Sequence, residues 1–206
     1  EILNSKKFPK KPCFLLTFDD GYVDHYKFVL PYLLKKKISG NFYLPIKVLK
    51  KNIMLDVNKI HFILEKESNR EKILNLINVL LKKKFQKSLK NFNLSRVYDR
   101  TFIDDKITFR IKVLLQYLLP KTYKNYILDK LFNIITKKTV KEFSEKLYLN
   151  VKQVKQMYNE GMHIGSHGNN HLWFKYISNK DQNQDIKNLI EFLNKINIID
   201  KNISFS

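Results

Sequence analysis

Adjacent carboxylates, Asp19 and Asp20, and a histidine pair at i and i+4, His167 and His171, are the chain's most chemically suggestive groups. They lie in Thr17-Phe18-Asp19-Asp20-Gly21 and in Gly165-Ser166-His167-Gly168-Asn169-Asn170-His171. Each motif ends an apolar run that reads as a buried strand, Cys13-Phe14-Leu15-Leu16 and Met162-His163-Ile164. Two imidazoles, one ligating carboxylate and one free carboxylate are what a mononuclear metal hydrolase needs. Such a ligand set leaves coordination positions open for water, as catalytic sites do. It suits Zn, and equally Fe(II), Co(II) or Mn(II). A bound metal would lower the pKa of water and polarise a carbonyl, and the free carboxylate would accept the proton. That is hydrolysis of an amide or an ester. Alone, an Asp-Asp-Gly is more often a turn and a His-x-x-x-His a surface or core pair; both following strands favours a metal site.

The elements that must position these groups can be read from hydrophobic periodicity. Residues 13–18 read as a strand and 22–36 as a helix with an apolar stripe, in which Pro31 implies a kink or early break. A second strand, 41–44, stops at Pro45, giving a βαβ unit of a parallel sheet. From residue 47 to 149 the strand-like runs vanish. Helical periodicity runs through 60–67, 70–84, 107–119 and 123–135, which reads as an all-helical insertion. The α/β pattern resumes at 150 with a helix over 151–159, the strand before the histidine loop, a helix over 185–196 and an apolar Ile203-Ser204-Phe205. Expected domains are therefore 1–46, the first part of a catalytic α/β domain, 47–149, the insertion, and 150–206, the continuation. Parallel α/β folds build sites at the carboxyl ends of their strands, where both motifs would converge.

Composition sets the outer limits. The chain has 206 residues, 44% hydrophobic and 28% charged, which is globular. Its formal charge of +20 would suit nucleic acid, an anionic glycan or a peripheral contact with an anionic membrane. The excess is mostly lysine in runs such as Lys35-Lys36-Lys37, which read as solvated helix faces. The single cysteine, Cys13, excludes an internal disulfide and a cysteine-based zinc cluster, and reads as a small core hydrophobe. No apolar stretch approaches the roughly 20 residues of a membrane span. No signal peptide is visible in a chain that opens on Glu1, which leans towards a cytoplasmic location.

The motifs resemble those of the polysaccharide deacetylases, the NodB-homology or carbohydrate esterase family 4 group. Thr17–Gly21 matches the first motif of that family, Ile164–His171 resembles the second, and Gly40–Pro45 resembles the strand after its first helix. The resemblance covers under half the chain, and none was read in the helical stretch. It implies an α/β fold, here a partial distorted (β/α) barrel interrupted by the all-helical insertion. It also implies metal-dependent removal of acyl groups, usually acetyl, from a saccharide. By position Asp20, His167 and His171 would hold the metal, most often Zn, and Asp19 would be the general base. The oxyanion would be stabilised by the metal and a backbone N–H. Gly168 stands where the family often has Ser or Thr. The third motif and the late histidine that acts as general acid lie outside this sequence, so it reads as an N-terminal portion with too few strands to close a barrel.

Beyond these residues, Trp173 and His25 are candidates for substrate contact. His163 reads as a packed neighbour of the loop and His61 as part of the insertion. Two further readings compete with a deacylase of glycans: a catalytically degenerate glycan-binding member of the same fold, and a nucleic-acid binder using the basic helices. The latter has no recognisable nucleic-acid motif.

Overall fold

The computed structural model describes residues 13–49, 53–93, 104–172, 174, 177–198 and 203–206. The chain divides into two compact units, Glu1–Lys50 with Leu147–Ser206, and Lys51–Lys146. It is a mixed α/β chain, mostly helical, with a small parallel sheet.

In the first unit, β1 (Thr17–Phe18), β2 (Asn41–Leu44) and β3 (His163–Ser166) form a parallel sheet in the order β1-β2-β3. Thr17 pairs with Asn41, and Asn41, Phe42, Tyr43 and Leu44 pair with His163, Ile164, Gly165 and Ser166. All three carboxyl ends therefore lie at one edge. The register also explains Gly165: a Cβ there would sit 2.7 Å from the Tyr43 ring.

The helix expected over 22–36 forms with a change of winding. Its middle, His25–Val29, is a π-turn, and α1 (Leu30–Lys36) carries Pro31 in its first turn. Proline lacks an N–H and crowds the preceding turn, and the wider winding just upstream accommodates it. Leu30 and Leu33 are buried in one core with Phe42, Leu44 and Ile164, to which α7 (Val151–Asn159) adds Val154 and Met157 and α8 (Asn179–Lys195) adds Leu189 and Leu193. Asn150 and Gln153 cap α7 reciprocally, satisfying donors that its first turn leaves open.

Two expectations are corrected here. Only Thr17–Phe18 of the expected strand 13–18 pairs, and Cys13 is exposed rather than in the core. Phe14 is 92% exposed, because β1 is the edge of the described sheet and no described element covers it. Helix α8 also begins six residues before the expected 185. Ser178 caps it by accepting from the Asp181 N–H, and its first turns are polar, so they left no apolar stripe to read.

The second unit is helical: α2 (Asp56–Lys66), α3 (Arg70–Phe85), α4 (Lys106–Val113), α5 (Lys121–Thr136) and α6 (Val140–Leu147, its last residue belonging to the first unit). Its interior holds Ile60, Ile63, Ile73, Ile77, Ile127 and Phe132, each fully enclosed. Helix α6 is not among the expected helices; at eight residues it shows only about two turns of pattern. No described helix is long and apolar enough to cross a membrane.

Candidate metal centre

Asp20 follows β1 and His167 follows β3, so the parallel pairing through β2 delivers both to the same sheet edge. Within the described residues, Asp20, His167 and His171 form a group whose potential ligand atoms all lie within 4.8 Å of one another. His171 Nε2 is 3.3 Å and His167 Nε2 3.8 Å from the Asp20 carboxylate, and the two imidazole centroids are 4.7 Å apart. All three side chains are partly buried, which keeps them reachable.

The chemistry of this donor set fits a cation. His167 Nδ1 lies 2.8 Å from the Ser206 carbonyl oxygen. A carbonyl only accepts, so Nδ1 carries a proton, and in a neutral ring Nε2 then presents a lone pair to Asp20. A cation between that lone pair and the carboxylate would satisfy both. The Nδ1–H to carbonyl contact is also how metal-ligating histidines are usually oriented. On the other side of the cluster, the Tyr22 hydroxyl donates to Asp20 Oδ2 at 3.2 Å, fixing the carboxylate.

Backbone strain is concentrated at the same place. Six described non-glycine residues have φ above zero. Lys37, Gln86 and Lys137 are helix C-caps and Asn197 follows the end of α8, positions where left-handed backbone is routine. Asp20 (φ 69°) and His171 (φ 55°) are the other two, and neither ends a helix. Left-handed residues away from such caps are held by their surroundings, and they cluster at functional sites.

The histidine loop is pinned along its length. Its carbonyls at Gly168 and Asn169 accept from the Ile46 and Lys47 N–H groups after β2, at 3.3 and 3.0 Å. Its N–H groups go to side chains: Gly168 donates to Ser166 Oγ at 3.0 Å, and Asn169 and Asn170 donate to Asp185 at 2.5 and 3.2 Å. Asp185, on α8, escaped the sequence reading. The available signal was a carboxylate on the same stripe as Leu189 and Leu193, where an apolar residue is expected.

The remaining candidates occupy different settings. Asp19 is exposed and stands outside the group of three. His25 is 9% exposed, its ring among those of Phe18, Tyr22 and Phe42, with Nδ1 buried and unpartnered. Burial holds its pKa below the ordinary 6.5, against the opposing pull of the Asp20, Asp24 and Asp19 carboxylates. His163 contacts Ser204 Oγ through Nε2 at 2.7 Å, and His61 is exposed on α2. Trp173 lies outside the described residues. Beside the two histidines is an open cavity of about 250 Å³, lined by His167, His171, Leu172, Phe174, Phe205 and Ser206. It is smaller than the roughly 300–1,000 Å³ of a typical small-molecule site.

No curated protein and no solved structure matches the chain. The family model for polysaccharide deacetylase matches residues 119–203. The match includes the histidine loop and α8, and it reaches back into the helical stretch, where no resemblance was read. The first motif, Thr17–Gly21, lies outside it. The histidine-loop motif thus falls inside the segment that is similar to polysaccharide deacetylase.

Proposed function

We propose that this chain carries the metal site of a hydrolase that removes acyl groups, foremost N-acetyl, from a saccharide. The observation that carries the reading is the convergence of Asp20, His167 and His171 within 4.8 Å of one another, inside a family context of polysaccharide deacetylation. Asp20, His167 and His171 are the residues that would hold a divalent cation, Zn foremost, with Co, Fe or Mn compatible with the same donors. When bound, such an ion supplies Lewis-acid polarisation of the acyl carbonyl and activates water.

The chain's own residues have distinct parts in this reading. Asp19, next to the ligating carboxylate but outside the cluster, takes the proton from the attacking water as general base. The Ser206 carbonyl holds His167 in the tautomer that offers Nε2. Tyr22 keeps one Asp20 oxygen occupied, so the other faces the histidines. Leu172, Phe174 and Phe205 give the cavity an apolar wall suited to the methyl of an acetyl group while the sugar stays in solvent. Trp173 and His25 are proposed as contacts to the saccharide on the ground of their places in the sequence.

The test is acetate release from N-acetylated and O-acetylated oligosaccharides, measured with added Zn²⁺ or Co²⁺ and after chelation. Release that requires metal and disappears in Asp19→Asn, with metal retained, supports the reading. A folded protein that binds metal and glycan but releases no acetate identifies a binding member of the fold instead.

A further inference from the structure

We infer that Asp185 is a positioning residue for the histidine loop: its buried carboxylate holds residues 168–170 in the shape that turns His167 and His171 towards Asp20. The inference rests on the metal-site reading above and extends it to a residue on a different element.

Asp185 is 3% exposed, in the same helix face as Leu189 and Leu193. A carboxylate enclosed this far must be hydrogen-bonded to persist. Its partners among the described residues all belong to the loop: the Asn169 N–H at 2.5 Å and the Asn170 N–H at 3.2 Å, with the Asn170 side-chain amide at 3.1 Å. Consecutive backbone N–H groups wrapped around an anion form a nest, made here by left-handed Gly168 at φ 72°. The anion in this case is supplied by the protein itself. Charge-assisted bonds of this kind are about twice as strong as neutral ones.

The same contact explains Gly168. A Cβ at that position would lie 2.9 Å from Asp185 Oδ2, and the left-handed φ is itself unfavourable for a larger residue. A side chain at 168 and a carboxylate at 185 exclude each other in this arrangement. The loop is therefore braced from α8 through Asp185 as well as by the Ser166 hydroxyl. Asp185 on one side and the Ile46 and Lys47 N–H groups on the other occupy the Asn169 and Asn170 N–H groups and the Gly168 and Asn169 carbonyls. His171 enters its left-handed conformation at the end of that pinned segment.

The experiment compares the wild-type chain with Asp185→Asn, of nearly equal size, and with Gly168→Ala, which presses on the same contact from the loop side. Two readouts are taken: amide hydrogen exchange at Asn169 and Asn170 in metal-free protein, and Co²⁺ affinity with its visible d–d spectrum. Both variants are expected to exchange faster at these two amides while exchange in β2 and α7 is unchanged. Co²⁺ affinity is expected to fall by about 10–100-fold, the usual effect of losing a group that orients ligands. Unchanged exchange at both amides in Asp185→Asn overturns the inference, as does wild-type Co²⁺ affinity with an unaltered spectrum. A wild-type chain that takes up no Co²⁺ sinks the metal reading instead, and exchange alone then decides whether Asp185 holds the loop.

Discussion

The two units use similar materials to different ends. In the helical unit, buried charge is spent on itself: Lys59 reaches Asp129 at 2.7 Å and Asp56 at 3.8 Å, and Lys124 meets Asp56 at 2.9 Å. In the α/β unit, Asp20 and two histidines face one another beside an open cavity. Left-handed backbone follows the same division. Gln86 and Lys137 use it to end helices, while Asp20 and His171 adopt it in the loops that carry the candidate ligands. One unit resolves its polar groups internally, and the other leaves a set that a cation would complete. Stability and function are written with the same residue types, and placement distinguishes them.

The largest expected effect is in the helical core. Phe132 is fully enclosed and packs edge-on against Phe143, so Phe132→Ala should cost about 3–5 kcal/mol in urea unfolding. Next is Lys59→Ala. Breaking a fully enclosed ion pair costs roughly 3–5 kcal/mol, but Asp129 is half exposed, so about 2 kcal/mol is expected here. Lys59→Met, which keeps the aliphatic length, should cost less than Lys59→Ala. Equal losses in the two variants would locate the energy in charge rather than in packing.

A smaller effect with the opposite sign tests the other unit. Asp20→Gly removes a left-handed aspartate, and should raise stability by about 1 kcal/mol while abolishing metal binding. Lys137→Gly, at a helix C-cap, should give a similar gain and leave metal binding unaltered. Stability lost in Asp20→Gly would show that the strain attributed to this site is absent.

The smallest effect is a slope. The folded-state pKa of His25 is depressed, so the unfolded chain binds its proton first as pH falls. Stability from this group is complete above about pH 6.5 and is lost as pH drops from there towards the lower folded value. His25→Gln should flatten that part of the stability profile. An unchanged profile would mean that another group sets it.

Much of the sheet edge was legible in the sequence, for physical reasons that differ from residue to residue. Asn41–Leu44 is a short apolar run between Gly40 and Pro45, so its limits are punctuated by residues with fixed backbone habits. The adjacency of Asp20 to His167 and His171 followed from two motifs that each close a strand of a parallel sheet. Cys13 was misplaced because an apolar run signals a strand without telling whether anything covers it. The first turns of α8 were missed because Asn179–Gln184 is polar and its start depends on one cap, Ser178. Asp185 stayed hidden because its partners are backbone N–H groups, which no side-chain pattern encodes.

The most direct test of the central claim is the metal content of the purified chain after equilibration with Zn²⁺ and removal of excess. Wild type should retain about one ion per chain, the stoichiometry of a mononuclear site. Asp20→Ala, His167→Ala and His171→Ala, each shown to be folded, should retain none. A folded wild-type chain without metal, or an ion that survives all three substitutions, would contradict the assignment of Asp20, His167 and His171 as its ligands.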